Sequence, residues 1–194
     1  MSQSSLPAPR SGRAGFTLIE AVMVVTIIGI VAGMAIPKAG YSTYLPSSGA
    51  RVLATTLAYA QRQAISQQSD IRVAFDVVTN QIRVHEDRNN DNVIDQGERV
   101  AFTSLPEGIA FGRGAAAARP LGAATVSFTR TQGVLPVLVF RRDGTASENG
   151  VVYLSTVAGL STGHDTDTRA IEVSRATGRV SWYSYGTGSW KDGN

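Results

Sequence analysis

The 194 residues contain no cysteine, which rules out disulfides, thiol nucleophiles and thiolate metal sites without fixing the compartment. Only two histidines are present, His85 and His164, and they lie too far apart in sequence to suggest ligand spacing. Gly163-His164-Asp165-Thr166-Asp167 reads as a polar turn rather than a metal contact. No Gly-x-Ser-x-Gly, phosphate loop or pair of catalytic carboxylates stands out, so neither an enzyme nor a small-molecule substrate is expected. Excess charge is scarce as well. Of the formal net charge of +3, two units come from Arg10 and Arg13 in an acid-free N-terminal stretch. The overall basicity is therefore no nucleic-acid footprint by itself.

What the chain does have is an apolar segment and a turn-rich remainder. Hydrophobic residues make up 43%, with 20 glycines and 7 prolines, a composition that suits a folded head. Met1 to Gly15 is polar and carries the two arginines. The 21 residues from Phe16 to Ile36 are nearly all apolar and are followed by Pro37. As a helix they would rise about 30 Å, the thickness of a bilayer's hydrocarbon core. The arginines on the N-terminal flank predict that this end stays cytoplasmic while the rest crosses. A secretory signal peptide is the alternative, but the run is long and no clear Ala-x-Ala site follows it. Glu20 does not fit a plain anchor. An ionised carboxylate among apolar residues costs a few kcal/mol unless it is paired or rests at the helix N-terminus. No basic residue lies inside the run, but a free α-amine on Phe16 would supply a cation if the chain were cut after Gly15.

Arg13-Ala14-Gly15-Phe16-Thr17-Leu18-Ile19-Glu20 resembles the processing motif of type IV pilins and type II secretion pseudopilins. The resemblance covers Gly15 to Ile36 closely and implies several expectations. A prepilin peptidase would cut after Gly15 and methylate the new N-terminal Phe16. Glu20 would pair with the amine of a neighbouring subunit during assembly. The same helix would first hold the protein in the membrane, and later pack against other pseudopilins or pilins in a filament.

Beyond Pro37, residues 38–46 read as a loosened stretch. A second helix is predicted from about Ser48 to Gln68, with Ser47 or Ser48 as cap and Leu53, Leu57, Ala60 and Ala64 on one face. From Asp70 the period changes to that of strands. Residues 71–75 and 81–84 alternate about Thr79-Asn80 as a hairpin. Further strands are predicted at 99–102, 125–128, 137–140, 151–157, 170–174 and 179–183, with 115–120 as a loop. The organisation expected is a leader at 1–15, a membrane and assembly helix at 16–36, a stalk and amphipathic helix at 37–69, and a β-rich exported head at 70–194. The fold class is α+β: a type IV pilin-like long N-terminal helix with an antiparallel sheet head. The helix Leu53 to Ile65, the turn Asp143-Gly144-Thr145 and the hairpin Ile171 to Val180 resemble the GspH/FimT branch of minor pilins and pseudopilins.

Two head segments are candidate binding sites. Asp87-x-Asn89-x-Asp91-Asn92-Val93-Ile94-Asp95-x-x-Glu98 follows the twelve-residue calcium-loop pattern, with Asn92 where glycine is usual. Asp87, Asn89, Asp91, Asp95 and Glu98 would supply side-chain oxygens and Val93 its carbonyl. The alternative is an acidic surface turn that binds nothing, and no cofactor other than calcium is suggested. Arg175, Arg179, Trp182, Tyr183, Tyr185, Trp190 and Lys191 combine cations with aromatics, a mixture that can contact DNA. Some family members resembling this branch bind DNA during uptake through Gly-Arg-x-Arg in the last hairpin. Here the segment is Gly178-Arg179-Val180-Ser181, without the second arginine, and packing or subunit contacts are the alternative.

The function that the resemblance implies is that of a minor pseudopilin of the type II secretion system, near the pseudopilus tip, in the bacterial inner membrane with its head outside the cytoplasm. The alternative is a minor pilin of a type IV pilus, in one version a DNA receptor for transformation. Mass spectrometry of the membrane-extracted protein, made with a prepilin peptidase, is expected to show loss of Met1 to Gly15 and gain of one methyl group. An unprocessed chain beside a competent peptidase would mean that the motif is not read.

Overall fold

The computed structural model describes residues 17–193, and for residues 33–43 the backbone alone. Gly15 and Phe16 lie outside the described residues. Helix α1 runs from Leu18 to Gln67. The break expected at Pro37 and the loosened stretch up to Pro46 are absent. A proline inside a helix removes one backbone bond and costs about 3 kcal/mol, a local penalty between two long helix-forming segments. With no helix start at residue 48, the expected serine cap is absent too, and the Ser48 hydroxyl donates back to the Leu45 carbonyl at 2.7 Å.

The chain divides into two units, Met1–Gly40 and Tyr41–Asn194. In the first, every side chain from Thr17 to Val31 is exposed, including Leu18 at 83% and Val25 at 69%. Among the described residues, no helix is long and apolar enough to cross a membrane. The run expected to do so, 16–36, includes Phe16 and the side chains of 33–36, which lie outside the described residues.

The second unit holds two five-stranded antiparallel sheets rather than a single one. The first contains β1 (Asp70–Asp76), β2 (Gln81–Asp87), β3 (Val100–Ser104), β5 (Thr131–Gln132) and β6 (Leu135–Phe140), in the order β3-β2-β1-β6-β5. The second contains β4 (Ile109–Phe111), β7 (Gly150–Thr156), β8 (Arg169–Val173), β9 (Val180–Gly186) and β10 (Ser189–Asp192), in the order β10-β9-β8-β7-β4. A short helix α2, Val157–Thr162, follows β7. The β1–β2 hairpin closes where the Asp76 carboxylate accepts the N–H groups of Val78 and Thr79, with Asn80 at φ +54°.

The predicted strand at 125–128 does not form. Its residues make one bridge, Val126 to Val152. β4 already occupies the open edge of β7 along Leu154 to Thr156, so only the stretch near Val151 to Tyr153 is left to pair with 125–127.

The predicted helical stripe lands as expected. Leu53, Leu57, Ala60 and Ala64 are fully buried, with Ala50 one turn earlier. They share one core with Ile71, Val73, Phe75, Ile82, Leu138 and Phe140 of the first sheet and with Ile109, Val152, Leu154, Ile171 and Val173 of the second. Phe75 stacks on Phe128 at 5.5 Å between ring centroids and meets Phe111 edge-on at 6.2 Å. Burying each leucine of the stripe contributes about 1.5–3 kcal/mol. Leu57→Ala is expected to destabilise the folded state by about 2–5 kcal/mol through lost burial and a residual cavity, read by urea denaturation of the full chain in detergent. A loss near zero would mean that this stripe does not hold the sheets.

Candidate functional site

At the N-terminal end, Thr17 opens the helix. Its hydroxyl accepts the N–H of Glu20 at 3.3 Å, and its carbonyl accepts that of Ala21 at 3.1 Å. This puts the Glu20 carboxylate in the first turn, where the helix dipole favours an anion. Around it the surface is apolar and exposed, and among the described residues no cation pairs with Glu20. A helix apolar on all sides buries itself in lipid or against other helices.

The Asp87–Glu98 segment connects strands β2 and β3, with no helix on either side. The protein's own groups engage both of its ends. Asp87, 1% exposed, forms an ion pair with Arg72 and accepts the N–H of Asn92 at 3.0 Å. Arg72 also reaches the Asn90 side chain at 2.9 Å. Glu98 accepts from His85 Nε2 at 2.6 Å and from the N–H groups of Arg88 and Asp95 at 2.9 and 3.1 Å. Between the ends, the Asn89 amide donates to Asp91 and Asp95, both at 2.9 Å, and Val93 N–H donates to Asp91 at 2.7 Å. Asn92 takes up the left-handed backbone, φ +68°, that its place in the pattern requires. So Asn89, Asp91 and Asp95 meet, whereas Asp87 and Glu98 face Arg72 and His85. Among the described residues, no group of three or more histidine or acidic side chains is arranged to hold a metal ion.

His85 is fully buried, and the network assigns its tautomer. The Gln132 carbonyl oxygen accepts from Arg83 at 3.0 Å, so the Gln132 amide nitrogen must face His85 Nδ1, also at 3.0 Å. Nδ1 therefore accepts, and Nε2 carries the proton given to Glu98. Gln132 also donates to the Asn92 carbonyl at 3.1 Å, tying the connection to β5.

The arginines and aromatics near the C-terminus separate. Arg175 and Arg179 flank the β8–β9 turn. Arg175 borders a hollow with Arg141, Asp143 and Asn149, and Arg179 a different one with Glu172 and Asp192. The aromatics pack internally. Tyr185 and Tyr153 meet Trp190 at 5.0 and 6.0 Å, and the Trp190 indole donates to the Ala117 carbonyl at 3.0 Å. Arg119 lies 3.7 Å over the Tyr183 ring and bonds Glu172 at 2.6 and 3.0 Å. That carboxylate keeps the guanidinium charged and raises its pKa. These contacts fasten the 115–120 loop onto the second sheet.

The prokaryotic N-terminal methylation motif matches residues 10–36. The type II transport protein GspH family matches residues 49–177, well over half of the chain. The chain belongs to the GspH family. Two solved structures resemble this chain, both of the minor pseudopilin EpsH from the type II secretion system of Vibrio cholerae. One is 15% identical, covers 76% of this chain and 99% of the other, and has a TM-score of 0.49. The second is 14% identical, covers 70% and 93%, and has a TM-score of 0.47. No curated protein sequence matches.

One residue that organises this GspH head is invisible in the sequence. Gln61 donates to the carbonyls of Gly144 and Thr177, both at 2.8 Å, so the helix ties the Asp143-Gly144-Thr145 turn to the β8–β9 turn. Gly178 is required beside it. Its φ is +62°, and a Cβ there would fall 2.2 Å from the Gly144 carbonyl oxygen. A glutamine on an amphipathic helix reads as solvent-facing, and no local signal distinguishes this one.

Glu98 provides a test of the connection. The Asp95 N–H foremost, then His85, holds its carboxyl at about 2, below the ordinary value of 4.5. Stability from this group is fully present above about pH 4.5 and is lost as the pH falls towards 2. Glu98→Gln is expected to flatten the decline in stability between these limits, followed by circular dichroism in urea. Identical acid limbs for variant and parent would show that this carboxylate is not the source.

Proposed function

We propose that this GspH family member is a minor pseudopilin of a type II secretion system. It would be cut after Gly15, methylated on Phe16 and held by helix α1 as a single pass in the bacterial inner membrane, with its head outside the cytoplasm. From there it joins the pseudopilus near the tip, helps to initiate the filament and supports export. The observation that carries this reading is the N-terminal half of α1, apolar on every described side, exposed in the single chain, and interrupted by one carboxylate. The family match to a type II transport protein supports the choice of secretion over other pilin-like machines.

The work done is mechanical. In an apolar environment, an unpaired Glu20 costs about 2.5–3.5 kcal/mol. The new α-amine of Phe16 on a neighbouring subunit is a cation that can offset this cost. Such a pair sets the axial position of each incoming subunit, because apolar helices by themselves slide with little preference. The head contributes surfaces, and its folding does not depend on the pairing.

Glu20→Ala is expected to leave membrane insertion intact, since it removes a charge from an apolar helix. Incorporation into sheared filaments should fall by roughly tenfold or more, as the neighbour's amine is left unpaired. Fractionation followed by blotting of filament and membrane pools separates the two effects. Normal incorporation of the variant would overturn the pairing.

A further inference from the structure

Strand β3 is an outer strand of the first sheet, paired among the described residues only with β2, so among these residues its other edge presents open N–H and C=O groups. Beside that edge runs a groove of about 800 Å³ between β3 and helix α1. Val52, Val84, Val100 and Ala101 contribute apolar atoms to its lining, together with Tyr59, 55% exposed. Ala101 and Thr103 lie opposite Val84 and Ile82 on the face that packs on the helix, yet Ala101 is exposed and Thr103 only half-buried. At β3 the sheet therefore extends past its helical cover.

The charge around this opening is one-sided. Arg51, Arg62 and Arg99 all line the groove, and none has a carboxylate partner among the described residues. The single acid on the lining, Glu86, is bound to Arg88 at 2.9 Å. An apolar channel flanked by an open strand edge and uncompensated guanidinium groups matches an extended segment carrying carboxylates. Backbone pairing would give such a segment affinity, alternate side chains would fill the groove, and arginine forks would select the acids. A second copy of this chain fits poorly, because edge-to-edge pairing about a two-fold axis would bring the three arginines of each copy together.

We propose that the β3 edge and its groove receive an extended acidic segment of a different pilin-like subunit, added as a further strand of the first sheet. This rests on the reading of the protein as a filament subunit. Recognition through the edge and groove gives the head a partner preference that an apolar helix, packing by burial alone, does not provide.

The test uses the full-length processed protein in cells that build the filament, with a photo-crosslinking side chain at Thr103. A control position at Val78, in the β1–β2 turn, is 86% exposed. The expected product is an adduct with a different pilin-like subunit, whose linked peptide, identified by mass, carries Asp or Glu. Arg51→Glu combined with Arg99→Glu should lower its yield roughly tenfold, without changing labelling from Val78. An adduct with a second copy, an adduct with lipid, no adduct, or a yield indifferent to the charge reversal would overturn the proposal. Sheared filaments tell the two claims apart. If the protein is present in filaments without the adduct, the groove assignment alone has failed. If it is absent from filaments, the filament reading has failed and the groove assignment with it.

Discussion

Ala50, Leu53, Leu57, Ala60 and Ala64 reach zero exposure by entering a core to which both sheets contribute. On this burial the rest of the head depends. Each sheet has one face that needs an apolar partner, and the helix shares a single cluster with both. The smaller side chains, Ala60 and Ala64, suit a close approach of backbone to backbone. Gln61, on the same turn of helix, uses that proximity to bond two turns at once. Gly178 has no side chain because the Gly144 carbonyl and the Gln61 amide already fill the space.

The far side of the first sheet is organised by charge instead. Ile71, Val73 and Phe75 alternate along β1 with Arg72, and Arg72 lies opposite His85 of β2. Both polar residues are buried because the β2–β3 connection supplies Asp87 and Glu98 as their partners. The buried Arg72–Asp87 ion pair adds little net stability, but removing one member leaves the other uncompensated, and Glu98 in turn accepts the Nε2 proton of His85. Their effect is to make one path of the connection much better than its neighbours. That path returns the chain to β3, whose outer edge stays open.

The N-terminal half of α1 presents the opposite situation. Its described apolar residues, as far as Val31, are exposed in the single chain, and an exposed apolar surface of this kind marks an association surface. Lipid and neighbouring apolar helices satisfy it about equally well, so one segment can serve as anchor first and as filament packing later. Under the proposed pairing, the difference between the two environments would lie in Glu20, which a neighbouring cation would match.

Local pattern by itself determined a good deal of this protein. The helical stripe, the β1–β2 hairpin, the Asp143-Gly144-Thr145 turn and the β8–β9 hairpin are legible because a period of 3.6 or 2 and the turn residues report each element and its buried face. Pro37 misled, because a proline signals a helix end locally while the flanking segments decided otherwise. Tertiary structure alone decided that the strands divide into two sheets, that β4 and not residues 125–128 takes the edge of β7, and that Gln61 joins two distant turns. It also decided that Asp87 and Glu98, spaced as cation ligands, face Arg72 and His85. In each case the partner comes from a distant part of the chain. Periodicity encodes which face of an element is buried, but what that face meets is set by the packing of all the elements together.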